Sequence, residues 1–186
     1  LPHALLQFHG DETPAECLAH GRPFVRAARI PLQAPAPGEA GFDLVNYATS
    51  FNKAQAILLD AHVEGYGGGG KVFDWQQVPQ GVSRPVVLSG GLHIANVIDG
   101  IAAVRPWAVD VSSGVEAAKG LKDAALMRQF AAVCAKHAER LAQTITAEMG
   151  KVLSESRAEA KLLQDKVAIT LEPSTLARVR DFEVDA

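Results

Sequence analysis

Five short apolar runs, at residues 4–8, 24–30, 56–59, 85–88 and 108–111, alternate with segments of helical character, and this alternation constrains the fold more than any other feature. Helical candidates lie near residues 14–19, 94–104 and 123–136. Repeated strand-then-helix units build a parallel sheet through right-handed crossovers. The run Ala56-Ile57-Leu58-Leu59 is apolar without alternation, as a parallel strand covered on both faces should be, and it ends in Asp60. That carboxylate therefore emerges at the C-terminal edge of its strand, where α/β sheets build their chemistry.

A chain of 186 residues with 48% hydrophobic content can bury one sizeable core, so one domain with an appendage is expected. The net charge of -3, with no basic cluster interleaved with aromatics, argues against a nucleic-acid partner. No apolar run approaches the ~20 residues that span a bilayer, and no leader pattern is visible, so a soluble cytoplasmic enzyme with no membrane partner is expected. Cys17 and Cys134 form neither a disulfide framework nor a metal spacing, which fits a reducing compartment. His3, His20, His62, His93 and His137 are scattered, so no metal site is expected. The sequence opens on Leu1 and enters a strand-like run at once, so its true beginning is expected upstream.

Four motifs succeed one another along the chain. They are Leu6-Gln7-Phe8-His9-Gly10-Asp11-Glu12, the stretch from Leu58-Leu59-Asp60 through Glu64-Gly65-Tyr66-Gly67-Gly68-Gly69-Gly70-Lys71 to Trp75, Leu88-Ser89-Gly90-Gly91-Leu92 with Asn96-Val97, and Val109-Asp110-Val111-Ser112-Ser113-Gly114-Val115-Glu116 with Gly120, Lys122 and Asp123. In that order they make residues 1–137 resemble phosphoribosylanthranilate isomerase, the barrel enzyme of tryptophan biosynthesis. The resemblance implies an α/β fold of the (β/α)8 TIM-barrel type. About five of its eight βα units are visible, from the family's fourth strand to its last helix, and the first three strands are lacking. Open sheet edges result, with water or another copy of the chain to satisfy them, so self-association is an expected partner mode.

The family's reaction is an Amadori rearrangement of a phosphorylated small molecule, without metal or organic cofactor. It needs an acid at the sugar ring oxygen and a base at the adjacent carbon. The resemblance carries the general acid onto Asp60, whose alternative role is to cap the following turn. As an acid it must hold a proton near neutral pH, above the usual ~3.9, and burial together with the substrate's phosphate charge acts in that direction. The resemblance also carries the substrate phosphate onto Gly90, Gly91, Ser112, Ser113 and Gly114. Glycine lets backbone amides approach an anion, and a helix start nearby adds favourable partial charge; each group is otherwise an ordinary turn. His9 either hydrogen-bonds the substrate or is a satisfied structural histidine. For Arg26 and Arg29 a solvated or ion-paired role is the plainer expectation.

The family's base is a cysteine in a Lys-Ile-Cys-Gly motif on its first strand, and this sequence has no such motif. Cys17 and Cys134 fall in helical segments and read as packing residues. Gly65 to Lys71 also fits the first seven positions of a nucleotide-phosphate loop, but Val72 stands where Ser or Thr should hold magnesium. The glycine run reads better as a loop that closes over Asp60, or as a plain flexible connection.

Beyond His137 the composition turns charge-rich, with Leu141, Ile145, Met149 and Val152 at helical spacing. Residues 138–166 resemble a helix of the cofactor domain of aldehyde dehydrogenases, without that family's catalytic regions. The domain reading is therefore a partial isomerase barrel at 1–137 and a helical extension and tail at 138–186. A second functional class stays open, an inactive anion-binding barrel fragment that self-associates.

Overall fold

The computed structural model describes residues 4–33, 35, 40–61 and 72–137, together with Ala142, Gln143 and Ser154. Five parallel strands lie side by side in chain order: β1 (Leu6–Phe8), β2 (Phe24–Ile30), β3 (Ala56–Ala61), β4 (Val86–Leu88) and β5 (Ala108–Val109). Sequential parallel order with helices between is the winding of a (β/α)8 barrel, of which the described residues carry five strands. Among the described residues β1 and β5 each pair on one side only. Helices α1 (Pro14–Ala19), α2 (Leu44–Ser50), α3 (Val97–Val104) and α4 (Ala124–Lys136) supply the crossovers and the end, and none is long and apolar enough to cross a membrane.

Local chemistry sets the helix boundaries. Thr13 and Glu16 form a reciprocal capping box: Thr13 Oγ1 accepts from the Glu16 N–H, Glu16 Oε2 accepts from the Thr13 N–H at 2.7 Å, and Pro14 opens the first turn. Asp43 caps α2 through the Asn46 N–H, and Asp123 caps α4 through the N–H groups of Ala125 and Leu126. Helix α3 ends on Arg105 in the left-handed region at φ 53°.

The sheet is buried on both faces. Phe24, Ala28, Ile30, Ile57, Leu59 and Leu88 pack against Cys17 of α1, against Leu44 and Ala48 of α2 and Phe51 just past it, and against Phe73. The opposite face holds a thinner layer of Ala27, Ala56, Leu58 and Val87. This explains why residues 56–59 show no polar alternation. A third cluster joins Val97 and Ile101 of α3 to Phe130 and Cys134 of α4.

All five expected strands are present, and the expected helices near 14–19, 94–104 and 123–136 are present with small shifts at their ends. Three features among the described residues lay outside the sequence reading: α2, a 3-10 turn at Trp75–Gln77, and an antiparallel hairpin of β6 (Glu116–Ala118) and β7 (Leu121–Lys122). The glycine run at 65–70 and its closing role lie outside the described residues. So does most of the expected helical extension, apart from Ala142, Gln143 and Ser154, which are helical, with Ala142 buried.

Candidate active site

The strand register decides which side chains meet. Arg29 pairs with Asp60 between β2 and β3, Leu59 with Leu88 between β3 and β4, and Leu88 with Val109 between β4 and β5. The ladders run one residue further, because the Ser89 N–H donates to Leu59 O and the Asp110 N–H to Leu88 O. Strand alternation then puts Arg29, Asp60, Ser89 and Asp110 on the same face as the Ala27, Leu58 and Val87 layer, at the C-terminal rim. Every strand thus leaves that face with a polar residue. His9, just past β1, completes the row.

Asp60 is held at both carboxylate oxygens. Oδ1 accepts the Ala61 N–H at 2.9 Å, and Oδ2 lies 3.1 Å from His9 Nε2. The Asp60 side chain is 16% exposed and that of His9 31%, so the pair is sheltered yet reachable from solvent. β1 and β3 are two strand spacings apart, roughly 9.5 Å. The imidazole bridges them because Ala27, which continues the register opposite His9, offers only a methyl group. His9 Nδ1 faces Gln7 Nε2 at 3.4 Å, and Arg29 donates to the His9 carbonyl and to Asp11 Oδ1. The histidine and the carboxylate expected separately are in contact.

Arg26 and Arg29 are both ion-paired, but only one of them is solvated. Arg26 is buried, donates to Glu12 Oε2 at 2.7 Å and to the Gly10 carbonyl at 2.9 Å, and stacks over the Phe51 ring at 4.9 Å. It therefore ties the His9 loop to the helix layer. Desolvation pushes the Glu12 carboxyl up, but hydrogen bonds from backbone N–H groups and from Arg26, with the Arg26 charge, outweigh it and hold Glu12 below the usual carboxylate range.

The two loops expected to hold the phosphate are built largely from backbone. Gly90 and Gly91 have φ 77° and 66°. A Cβ on Gly90 would lie 2.5 Å from the Ala61 nitrogen and 2.7 Å from Asp60 Oδ1, so only glycine fits beside that carboxylate. A Cβ on Gly114 would run into the Leu92 carbonyl oxygen, since Gly114 and His93 form a parallel bridge that latches the two loops together. Asn96 secures the first loop, donating to the Gly91 carbonyl and accepting the His93 N–H. The second loop is braced by Lys122, whose ammonium donates to Ser112 O and Oγ. Ser112-Ser113-Gly114 leads into the β6–β7 hairpin and not into a helix, so a helix start adds no partial charge on that side.

Asp110 and Lys122 stood in the fourth motif with no role assigned to either. Asp110 accepts the Ser89 hydroxyl at 3.0 Å, and its signal was the isolated acid within Val109-Asp110-Val111. Both cysteines are buried in helices away from the rim: burial pushes the Cys134 thiol up to about 11 and raises that of Cys17. Among the described residues no group of three or more His, Cys, Asp or Glu is placed to hold a metal. A cavity of about 270 Å³ lined by Arg84, Arg105 and Trp107 sits at the opposite, N-terminal ends of β4 and β5.

Comparison with known proteins agrees with this architecture. The family model of N-(5'-phosphoribosyl)anthranilate isomerase matches residues 2–133. The isomerase of Leptothrix cholodnii is 69% identical over 130 residues, 70% of this chain and 56% of that protein; the one of Methylibium petroleiphilum is 65% identical over 130 residues and 57% of its own length. The chain thus spans a little over half the length of these relatives. Among solved structures, the phosphoribosylanthranilate isomerase of Thermus thermophilus superposes with a TM-score of 0.57 at 33% identity, covering 71% of this chain and 60% of its own. The Thermotoga maritima enzyme gives 0.52 at 38% identity, covering 68% and 58%. With a family model spanning most of the chain and a sheet wound in the same order, the chain belongs to the phosphoribosylanthranilate isomerase family.

Proposed function

We propose that residues 1–137 form the catalytic barrel segment of a phosphoribosylanthranilate isomerase, serving tryptophan biosynthesis in the cytoplasm, and that residues 138–186 are an extension outside that unit. The substrate is N-(5-phosphoribosyl)anthranilate. Asp60 gives a proton to the ring oxygen as the ring C–O bond breaks, and removal of the proton from the adjacent carbon leads through an enolamine to the open-chain ketose amine. No atoms are gained or lost. The phosphate rests on the amides and hydroxyls of Gly90, Gly91, Ser112, Ser113 and Gly114, where barrels commonly hold phosphate, and His9 faces the substrate beside the acid.

One observation carries this reading: Gly90 is pressed against Asp60, so the acid and the anion loop share one wall of one rim. Each substrate end then has a partner on the same rim. The base has no cysteine at this rim among the described residues, so turnover is expected about 10² to 10⁴ below that of a site with both partners. The test is the decay of substrate fluorescence with purified chain, generating the substrate in place, against Asp60→Ala. Decay that Asp60→Ala removes supports the reading, and decay that persists unchanged in the variant sinks Asp60 as the acid.

The open sides of β1 and β5 favour a second reading, an inactive anion-binding segment that self-associates through its edges. Sedimentation at increasing concentration separates the two. A dimer without fluorescence decay selects the second reading, and a monomer that turns substrate over selects the first.

A further inference from the structure

Lys122 closes the β6–β7 hairpin, in register with Glu116, and its ammonium is fully committed. It donates to Ser112 O at 2.9 Å, to Ser112 Oγ at 3.0 Å and to Glu116 Oε1 at 2.7 Å. These contacts use all three of its donors. The hairpin is braced from the other side as well, since Glu116 Oε2 accepts the Gly120 N–H at the tip, where φ is 79°. The Lys122 hydrogen bond, followed by that of Gly120, holds Glu116 below the usual carboxylate range, so the carboxylate stays charged and keeps the ammonium in place.

The consequence falls on Ser112. An ammonium only donates, so Ser112 Oγ must accept from it, and the hydroxyl's own proton is left to point elsewhere. We infer that Lys122 is a positioning residue of the phosphate site: it fixes Ser112 as a hydrogen-bond donor toward the bound phosphate and pins the Ser112 carbonyl on which the loop turns. The hairpin is then the device that delivers Lys122 to a loop ten residues earlier in the chain. This inference rests on the proposed phosphate role of the loops, and it adds a residue that acts through Ser112 and not by touching the substrate.

The test is a double-mutant cycle on the full chain, read as binding of inorganic phosphate from ³¹P line broadening, with Ser112→Ala, Lys122→Met and the double variant. Each single change is expected to weaken phosphate binding about tenfold, the worth of one charge-assisted hydrogen bond. The double variant should bind no more weakly than the weaker single one, because both remove the same donor. Losses that multiply would overturn the inference while leaving the phosphate loops standing, for Lys122 would then act on its own. No saturable phosphate binding by the unaltered chain overturns the loops and the inference together. Circular dichroism and thermal unfolding check that each variant is folded. Should Lys122→Met fail that check, Lys122→Leu runs the same cycle, since it too removes the ammonium that Ser112 accepts from.

Discussion

The proposed acid end and the proposed anion end of the rim are built from different materials. Asp60 and His9 lie 51 positions apart in sequence and meet side chain to side chain across an intervening strand, at 3.1 Å. The Gly90-Gly91 and Ser112-Ser113-Gly114 loops come after consecutive strands and meet backbone to backbone through the His93–Gly114 bridge. A site made of side chains loses its chemistry when one functional group is removed and keeps its fold. A site made of backbone loses its shape when a single Cβ is added. Deleting a group should therefore cost most at the first end, and adding one should cost most at the second.

Removing the Asp60 carboxyl has the largest expected effect on turnover. If activity is present, Asp60→Ala should lower it by about 10² to 10⁴, the usual worth of a general acid, while phosphate binding and thermal stability stay close to those of the unaltered chain. A parallel loss of phosphate binding would erase the distinction between the two ends. Gly90→Ala tests the opposite end. The added methyl meets the Ala61 nitrogen at 2.5 Å in a backbone of positive φ, so stability should fall by about 1–3 kcal/mol and phosphate binding should fall with it. An alanine variant that melts with the unaltered chain and binds phosphate equally well would show that the loop is not backbone-limited.

The same contrast governs what the sequence made legible. Backbone features leave local signatures, and Gly90, Gly91 and Gly114 stood in short motifs after apolar runs that became β4 and β5. Strands were readable because both faces of the sheet are covered, which leaves unbroken runs such as Ala56 to Leu59. Helix α1 was readable to the residue, since Thr13, Pro14 and Glu16 spell a capping box. Helix α2 is two turns long and buries only Leu44 and Ala48 in its own span, too little for a periodic signal. The β6–β7 hairpin is mostly exposed and carries no alternation, so neither it nor the grip of Lys122 on Ser112 was visible. The contact between His9 and Asp60 depends on register and on the small side chain of Ala27, and no local pattern encodes either.

His9→Asn sharpens the comparison at the acid end with a smaller effect. An asparagine still forms hydrogen bonds, but from the β1 side it is too short to reach Asp60 Oδ2. If turnover is present it should fall by about tenfold, the value of one hydrogen bond to a charged group, with phosphate binding unchanged. The telling readout is the split between kcat and KM, because losing a partner that touches the acid should lower kcat and leave KM close to that of the unaltered chain. A kcat that stays unchanged would make His9 a structural residue.

The smallest effect concerns the frame behind both ends. Glu12 holds Arg26 at 2.7 Å, and its carboxyl lies below its ordinary range in the folded chain. A depressed folded pKa means that the folded state binds the proton less readily than the unfolded state. The stabilisation is therefore present above the unfolded value, about 4.3, and is lost as pH falls through the folded one. Glu12→Gln should flatten this acid limb of the stability curve and leave stability at neutral pH slightly reduced. Its side chain is partly exposed, so solvent screening keeps the change small. Urea unfolding at about pH 3.5 and about pH 7, on either side of that unfolded value, reads the difference. A variant whose stability still falls as steeply toward acid would assign that limb to other carboxylates, Glu16 among them, whose carboxyl is lowered by the Thr13 N–H and hydroxyl. Because Arg26 is buried under Phe51 and also binds the Gly10 carbonyl, it should stay seated after Glu12 is neutralised, and the His9–Asp60 contact should persist. The frame is then over-determined, which is what allows the acid end to be altered without unfolding the sheet that carries it.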